Sequence, residues 1–365
     1  MVLRLAVPEG TLRARVAPMT VKPLTLLIAG RTTGPEAGLY RATRDGDGFR
    51  VELCDAVAGL NALCRHRLLP LVYGVAEDPE VALYVWDCSG TTPVRVARIV
   101  LDLDREPCDV ALSSDCTQLA AVAFGNGSEG GLIWLSLGPD GLPDDAAPVH
   151  TSHEPLHPHQ ATFLDGQWWV TDFGADQLRR YVVDGAGLRQ LPAVPVPTGT
   201  APRHLAALST GEGSLPVAVS GELGESVLVG DLAARQMVWA EVASTALRGP
   251  AVTRSERNYP GDIKASADGR RVFVTNRGHD TIGVFDIEGG FATPRAEVLL
   301  HDCVVESSRR PLWPQHLLVR DDEVLVACWD SSEVVSVREG GDGFGWAPLF
   351  ECPGASWLLD VTDLH

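Results

Sequence analysis

The sequence predicts an all-β fold: a single seven-bladed β-propeller over residues 1–365, with four-stranded antiparallel blades around a central channel. Three observations predict it. Gly, Pro and Asp punctuate the chain at intervals of about eight to twelve residues, with short β-rich runs between them, which is the cadence of strands and tight turns. The runs fall into a longer repeat, in which prolines at 107, 158, 202, 260 and 314 each open a unit, at spacings of 51, 44, 58 and 54 residues. Repeats of roughly 40–50 residues holding three or four strands are propeller blades, and helical solenoids of similar period lack such β-branched runs. Finally, no amphipathic helix of any length interrupts the pattern, so the size of the chain does not imply a second domain.

The units follow in order. The first runs from Leu24 (LTLLIAG, then GLYRAT), and the second begins near Leu63 (LCRHRLLPLVYGV, then ALYVWDC). A third begins at Pro107 (CDVALSSDCTQLAAVAF, then GLIWLSL), and a fourth occupies 157–185, HPHQATFLDGQWWVTDFGADQLRRYVVDG. The fifth is 201–232, the sixth 259–290 and the seventh 313–339, the sixth showing the clearest alternation of strand and turn. Residues 1–18 read either as a ragged start or as a strand that closes the ring, so the N-terminal segment is expected to complete the last blade. Trp168 and Trp169 alternate faces of one strand, one toward a core and the other toward blade packing.

Residues 153–157 spell HEPLH, which matches the helical zinc signature H-E-x-x-H. That chemistry needs a helix to bring the two histidines onto one face. Pro155 and Pro158 remove hydrogen bonds and push Glu154 and His157 toward extended geometry. The stretch is therefore non-helical and metal-free, and His153 and Glu154 are solvated loop residues.

Charge and composition exclude further classes. A net charge of −18 opposes nucleic acid and anionic membrane surfaces, although a local arginine pair is still able to hold a small anion. No apolar run approaches the roughly 20 residues of a membrane-spanning helix, and the N-terminus lacks a secretory apolar core. The eight cysteines form no CxxC pair, which suggests buried thiols in a reducing, cytoplasmic setting. Only Lys22 and Lys264 supply amines, so Schiff-base catalysis is disfavoured, and no G-x-S-x-G, P-loop or helix-opening G-x-G-x-x-G motif is present.

Topology sorts the polar residues. The start of a blade's first strand and the end of its second open on the same face of the disc. His157, His159 and Gln160 start the inner strand of the fourth unit, and Arg203 and His204 that of the fifth. Glu222 ends the second strand of the fifth; Asn276, Arg277 and His279 end that of the sixth, and Asp172 that of the fourth. All converge on one mouth of the channel. Imidazoles and a carboxylate there would take a proton from water, while guanidiniums would receive an oxyanion or an anionic substituent. Polar strand ends also tie blades together, and Asp172, Asp176, Asp262 and Asp280 are read as turn formers or inter-blade clamps.

At these residues the chain resembles the lactonase family of seven-bladed β-propellers. That family includes a bacterial type of 6-phosphogluconolactonase and the fungal carboxy-cis,cis-muconate lactonizing enzyme. The matching stretches are HPHQATF…VTDFGADQLRRY (157–181), GTAPRHLA…VSGELGESV (199–227) and ASADGRRVFVTNRGHDTI (265–282). The resemblance implies a hydrolase of carbohydrate metabolism that opens a sugar-acid lactone, with no metal or organic cofactor and a small anionic substrate. It places the catalytic group on His157 or His159, with Arg203, Glu222 and Arg277; His159, one step further into the strand, is favoured. Gln160, His204, Asn276 and His279 are expected to bind substrate. A muconate-type cycloisomerase and a non-catalytic ligand- or partner-binding propeller are the alternatives. The sequence specifies no oligomeric state, and a monomer suffices. Four stretches depart from the family pattern and flank the same mouth: AGRTT (29–33), FGNGSEGG (124–131), WPQH (313–316) and ACWDSS (327–332).

Overall fold

A computed structural model describes residues 23–364, apart from 78, 126–129, 145–149, 153–156, 185–186, 209–212, 235–237, 244–256, 301–311, 322 and 342. The described strands form seven four-stranded antiparallel sheets. The innermost strands are Leu60–Arg65, Pro107–Leu112, Pro158–Leu164, Pro202–Ala207, Pro260–Ala265, Pro314–Arg320 and Ala355–Asp360. All five anchor prolines of the sequence repeat are therefore first residues of inner strands. The position suits proline, because the first residue of a strand need not donate to the ladder.

The closure of the ring differs from expectation. Seventh-blade strands run from Pro314 to Glu351 and are complete in themselves. The N-terminal strands Thr25–Gly30, Gly38–Asp45 and Gly48–Ala56 instead form blade 1, whose innermost strand is Ala355–Asp360. Leu26, Leu27 and Ile28 pair with Asp360, Leu359 and Leu358. The physical reason lies in the cadence itself: ASWLLD is the inner strand due after the seventh blade, and only the N-terminal strands remain to pair with it. Residues 1–18 lie outside the described residues, as do His153 and Glu154 of HEPLH; the strand that follows that stretch begins at Pro158.

Between every pair of neighbouring blades sits one hydrophobic cluster, seven in all among the described residues. Period-two alternation feeds two of them from each strand. Trp168 packs with Ala120, Val122 and Leu132 toward blade 3, while Trp169 packs with Leu205, Val217 and Val219 toward blade 5. The indoles of Trp134 and Trp168 both donate to Gln118 Oε1, at 3.1 and 3.0 Å.

Polar clamps join the inner strands at the channel wall. Asp109 Oδ2 accepts from the Ala161 amide (3.0 Å), Gln160 Oε1 from that of Leu205 (2.6 Å), and Asp262 Oδ2 from that of Leu317 (2.8 Å). His316 Nδ1 accepts from the Leu358 amide at 3.2 Å. Asp176 and Asp280 occupy left-handed turns and accept two amides each from the segment that leads into the next blade. Asp172 ties its own blade together, accepting from the His157 amide and from Arg179 Nε.

Candidate active site

Each inner strand carries a register shift just past its first residue. Pro107 pairs with Ala123 and Asp109 with Val122, so Cys108 is an extra residue; likewise His159 between Pro158 and Gln160, and Gln315 between Pro314 and His316. Arg203 and His204 fall in the corresponding gap of blade 5, and Asn61 in that of blade 2. A bulge adds one residue and re-aims side chains. Here it turns the residue after the strand's first position toward the channel, and Asn61, Cys108, His159, Arg203 and Gln315 all line one cavity of about 290 Å³. That is near the lower end of ligand pockets, roughly 300–1,000 Å³. Entry to three of these strands is strained: Glu106, Ala201 and Trp313, each directly before a proline, have φ of 59°, 50° and 48°. A left-handed non-glycine residue costs roughly 1–2 kcal/mol, the kind of strain found beside functional sites.

The sixth blade has Gly261 at the bulge. A Cβ there would come within 2.5 Å of Thr275 Oγ1 and 3.1 Å of Arg277 Nε. The missing side chain is the space that the Arg277 guanidinium fills.

The charged centre is a trio. Arg203 Nη1 and Arg277 Nη2 approach the same carboxylate oxygen, Glu222 Oε2, at 2.7 and 2.5 Å. Arg277 also donates through Nε to the Tyr259 carbonyl (3.2 Å) and lies over the Trp313 ring. Burial alone would raise the Glu222 carboxyl, but Arg277 and then Arg203 hold it below its ordinary value. Burial, and then Arg203, lowers Arg277 to about 10, where it is still cationic at neutral pH.

Two imidazoles face the same space. His159 is 8% exposed and its Nδ1 has no partner among the described residues. Burial, then Arg203, His204 and Arg277, holds it well below the usual histidine value, so it is neutral. The His204 ring lies 5.2 Å from that of His159, with Nδ1 2.7 Å from Asp262 Oδ1. Burial, partly offset by Asp262, takes His204 down to about 4.

Of the nine residues expected to catalyse or bind substrate at the mouth, the fold brings five into the cavity: His159, Arg203, His204, Glu222 and Arg277. The other four lie outside its lining. His157 precedes the bulge; its ring stacks on Phe124 and its Nδ1 meets the Phe124 carbonyl at 2.8 Å. Gln160 follows the bulge and is engaged as a clamp. Asn276 bridges Asn258 and Thr281 across its turn, and His279 sits in that same turn. Besides Asn61, Cys108 and Gln315 at the bulges, sequence reasoning missed Arg31, Glu106, Phe124, Phe173, Trp313, Trp329 and Trp357 as cavity residues. Arg31 stacks on Trp329, whose indole donates to the Arg31 carbonyl, and has no carboxylate at ion-pair distance among the described residues. Five of the missed residues, Arg31, Phe124, Trp313, Gln315 and Trp329, fall in the four stretches that depart from the family pattern. Among the described residues no three His, Cys, Asp or Glu side chains gather as a metal-ligand set, and no helix is long and apolar enough to cross a membrane.

Comparison with known proteins bears on the fold and the family. The periplasmic gluconolactonase of Pseudomonas aeruginosa superposes with a TM-score of 0.76 at 20% identity, over 93% of this chain and 99% of that one. A protein from Lactobacillus plantarum gives 0.75 at 19% identity (93% and 100% covered). A candidate 6-phosphogluconolactonase from Bacteroides fragilis gives 0.73 at 18% (94% and 100%). At these identities the likeness concerns the fold. An uncharacterised protein of Staphylococcus epidermidis is 28% identical over 118 residues, a match spanning 32% of each chain. The family described as "Lactonase, 7-bladed beta-propeller" matches residues 25–339, most of the sequence. The chain belongs to the lactonase family of seven-bladed β-propellers.

Proposed function

We propose that this protein is a lactone hydrolase that opens a small anionic lactone, of the sugar-acid class handled by 6-phosphogluconolactonases, by imidazole-assisted attack of water. The observation that carries the reading is one cavity holding both parts of that chemistry: neutral, buried imidazoles and a cluster of guanidiniums. Water attacking a lactone carbonyl needs a group to take its proton, and the oxyanion that forms needs fixed positive charge. Arg203, Arg277 and Arg31 supply three cations against the two cavity carboxylates Glu106 and Glu222. A local excess of positive charge inside a chain of net charge −18 selects an anion. Arg31, which has no carboxylate at ion-pair distance among the described residues, would take the substrate's own anionic group, since Arg203 and Arg277 are already held by Glu222.

The test is a panel of anionic and neutral lactones, each corrected for spontaneous opening. The wild type should accelerate at least one anionic lactone, and Arg31→Ala should raise KM with little change in kcat. Arg277→Ala should lower kcat about 10²-fold or more, and Arg277→Lys should remain impaired, because a point charge does not reproduce the guanidinium fork. No acceleration of any lactone, or alanine variants at the wild-type rate, would overturn the reading. Aromatic walls (Phe124, Phe173, Trp313, Trp329, Trp357) favour one second reading, a cycloisomerase acting on a flat unsaturated acid. Following ring closure of such an acid in the same panel separates the two.

A further inference from the structure

One arrangement in the cavity is not used by the arginine trio. His204 occupies the bulge of blade 5 and is 3% exposed. Its Nδ1 meets Asp262 Oδ1, on the inner strand of blade 6, at 2.7 Å. Asp262 is fully buried and also accepts from Lys264 Nζ (2.7 Å) and the Leu317 amide (2.8 Å), with His316 Nε2 at 3.6 Å. Burial would raise this carboxyl, but Lys264, then His316 and His204, keeps it ionised. An ionised acceptor at Nδ1 puts the ring proton there and leaves the lone pair on Nε2. That nitrogen is buried, has no partner among the described residues, and belongs to a residue of the cavity wall. A buried acceptor without a donor costs about 1–3 kcal/mol, a cost that a bound water removes.

We propose that His204, oriented by Asp262, is the base that takes the proton from the attacking water, a role that the resemblance would give to an HPH histidine or Glu222. The assignment rests on the lactone-hydrolysis reading above. Charge separates the candidates. Glu222 is held by two guanidiniums and is a weak base. Protonating His159 would place a cation beside Arg203, Arg277 and His204, with no carboxylate among the groups acting on it. His204 also faces cations, Arg203 on its own strand and Lys264 on the next, together with neutral His159 and His316, but Asp262 is in direct contact and stabilises the imidazolium. Trp357, on the blade 1 side, is uncharged. An anionic substrate on the arginines would further ease protonation of His204.

The steps balance. Nε2 takes one proton from water as the water oxygen bonds to the carbonyl carbon, and the carbonyl oxygen becomes the oxyanion. Collapse breaks the bond between that carbon and the ring oxygen, which leaves with the proton from Nε2. The product is a hydroxy acid, whose carboxyl then releases one proton to solvent.

The experiment uses the full-length protein and a lactone that the wild type opens. His204→Ala should lower kcat by about 10²–10⁴-fold, with KM changed far less. Added imidazole should restore at least tenfold of that loss, in proportion to its free-base fraction, while His159→Ala should lose less and gain nothing from imidazole. His204→Gln keeps an N–H for Asp262, so it provides a folded variant, checked by circular dichroism, should the alanine variant unfold; it too should lose kcat. Lys264→Met removes a cation beside the dyad and should move the acid limb of the kcat profile to higher pH, which a purely structural clamp would not do. Rescue of His159→Ala in place of His204→Ala, a His204→Gln variant at wild-type kcat, or an unmoved limb would overturn the assignment and leave lactone hydrolysis standing. A wild type that opens no lactone would instead remove both.

Discussion

Glu222 presents one oxygen to two guanidiniums, and that geometry makes it a strut that fixes Arg203 and Arg277 relative to each other. All three side chains are close to buried, so removing the negative charge leaves two cations facing each other out of water. Breaking a buried pair in this way costs about 3–5 kcal/mol. Glu222→Gln is therefore expected to lower the unfolding free energy by about 3 kcal/mol in urea titration, and inorganic phosphate should recover part of it by replacing the lost anion. No loss of stability would mean that the trio is solvated. This trio was legible in the sequence because blade topology sends strand starts and ends to one face whatever the side chain. Arg31 and Trp329 were not legible, since they lie in loops of different blades, 298 residues apart along the chain, and no repeat relates them.

Bulges decide which side chains reach the cavity. Proline begins five of the inner strands, and the residue after it is Cys108, His159, Arg203, Gly261 or Gln315. That single rule separates His159 from its neighbours: His157 falls before the proline and Gln160 after the bulge. It was available in the sequence but hidden, because a bulge leaves no mark in hydrophobic periodicity. The one glycine in the series gives the sharpest test. Gly261→Ala would place a methyl against Thr275 and Arg277, and the arginine is the more movable of the two. Overpacking of this kind costs about 1–3 kcal/mol, whereas the loss of the Arg277 position should lower kcat/KM tenfold or more. Comparing melting temperature with kcat/KM checks the disproportion; equal, small effects would show that the guanidinium has room to spare.

Among the described residues the ring is held by seven equivalent apolar interfaces and by one non-equivalent join, blade 1, where the Ala355–Asp360 strand pairs with Thr25–Gly30. Seven blades were readable from the 50-residue cadence, because each interface needs the same alternation of strands. The join is not legible in the same way, because ASWLLD pairs with Thr25–Gly30 at the far end of the chain rather than with the strands next to it in sequence. Removing residues 355–365 would expose the Thr25–Gly30 edge and take Trp357 from the cavity wall. The truncated protein is expected to lose cooperative thermal unfolding and to aggregate, and a synthetic peptide of residues 355–365 should restore a cooperative melt; an unchanged melt without the peptide would show the join to be dispensable.

The same join sets a clock on biosynthesis. The Thr25 amide bonds to Thr362 Oγ1 across 337 residues of chain, and blade 1 lacks its inner strand until that partner has been made. At about 5–20 residues per second, the wait is on the order of 17–67 s. Throughout it the earliest strands carry an open edge while later blades fold, and nascent chains on neighbouring ribosomes carry the same edge. Until it closes its own ring, the Ala355–Asp360 strand of one chain fits the open edge of another, so crowded translation raises the exposure of this join to strand swapping.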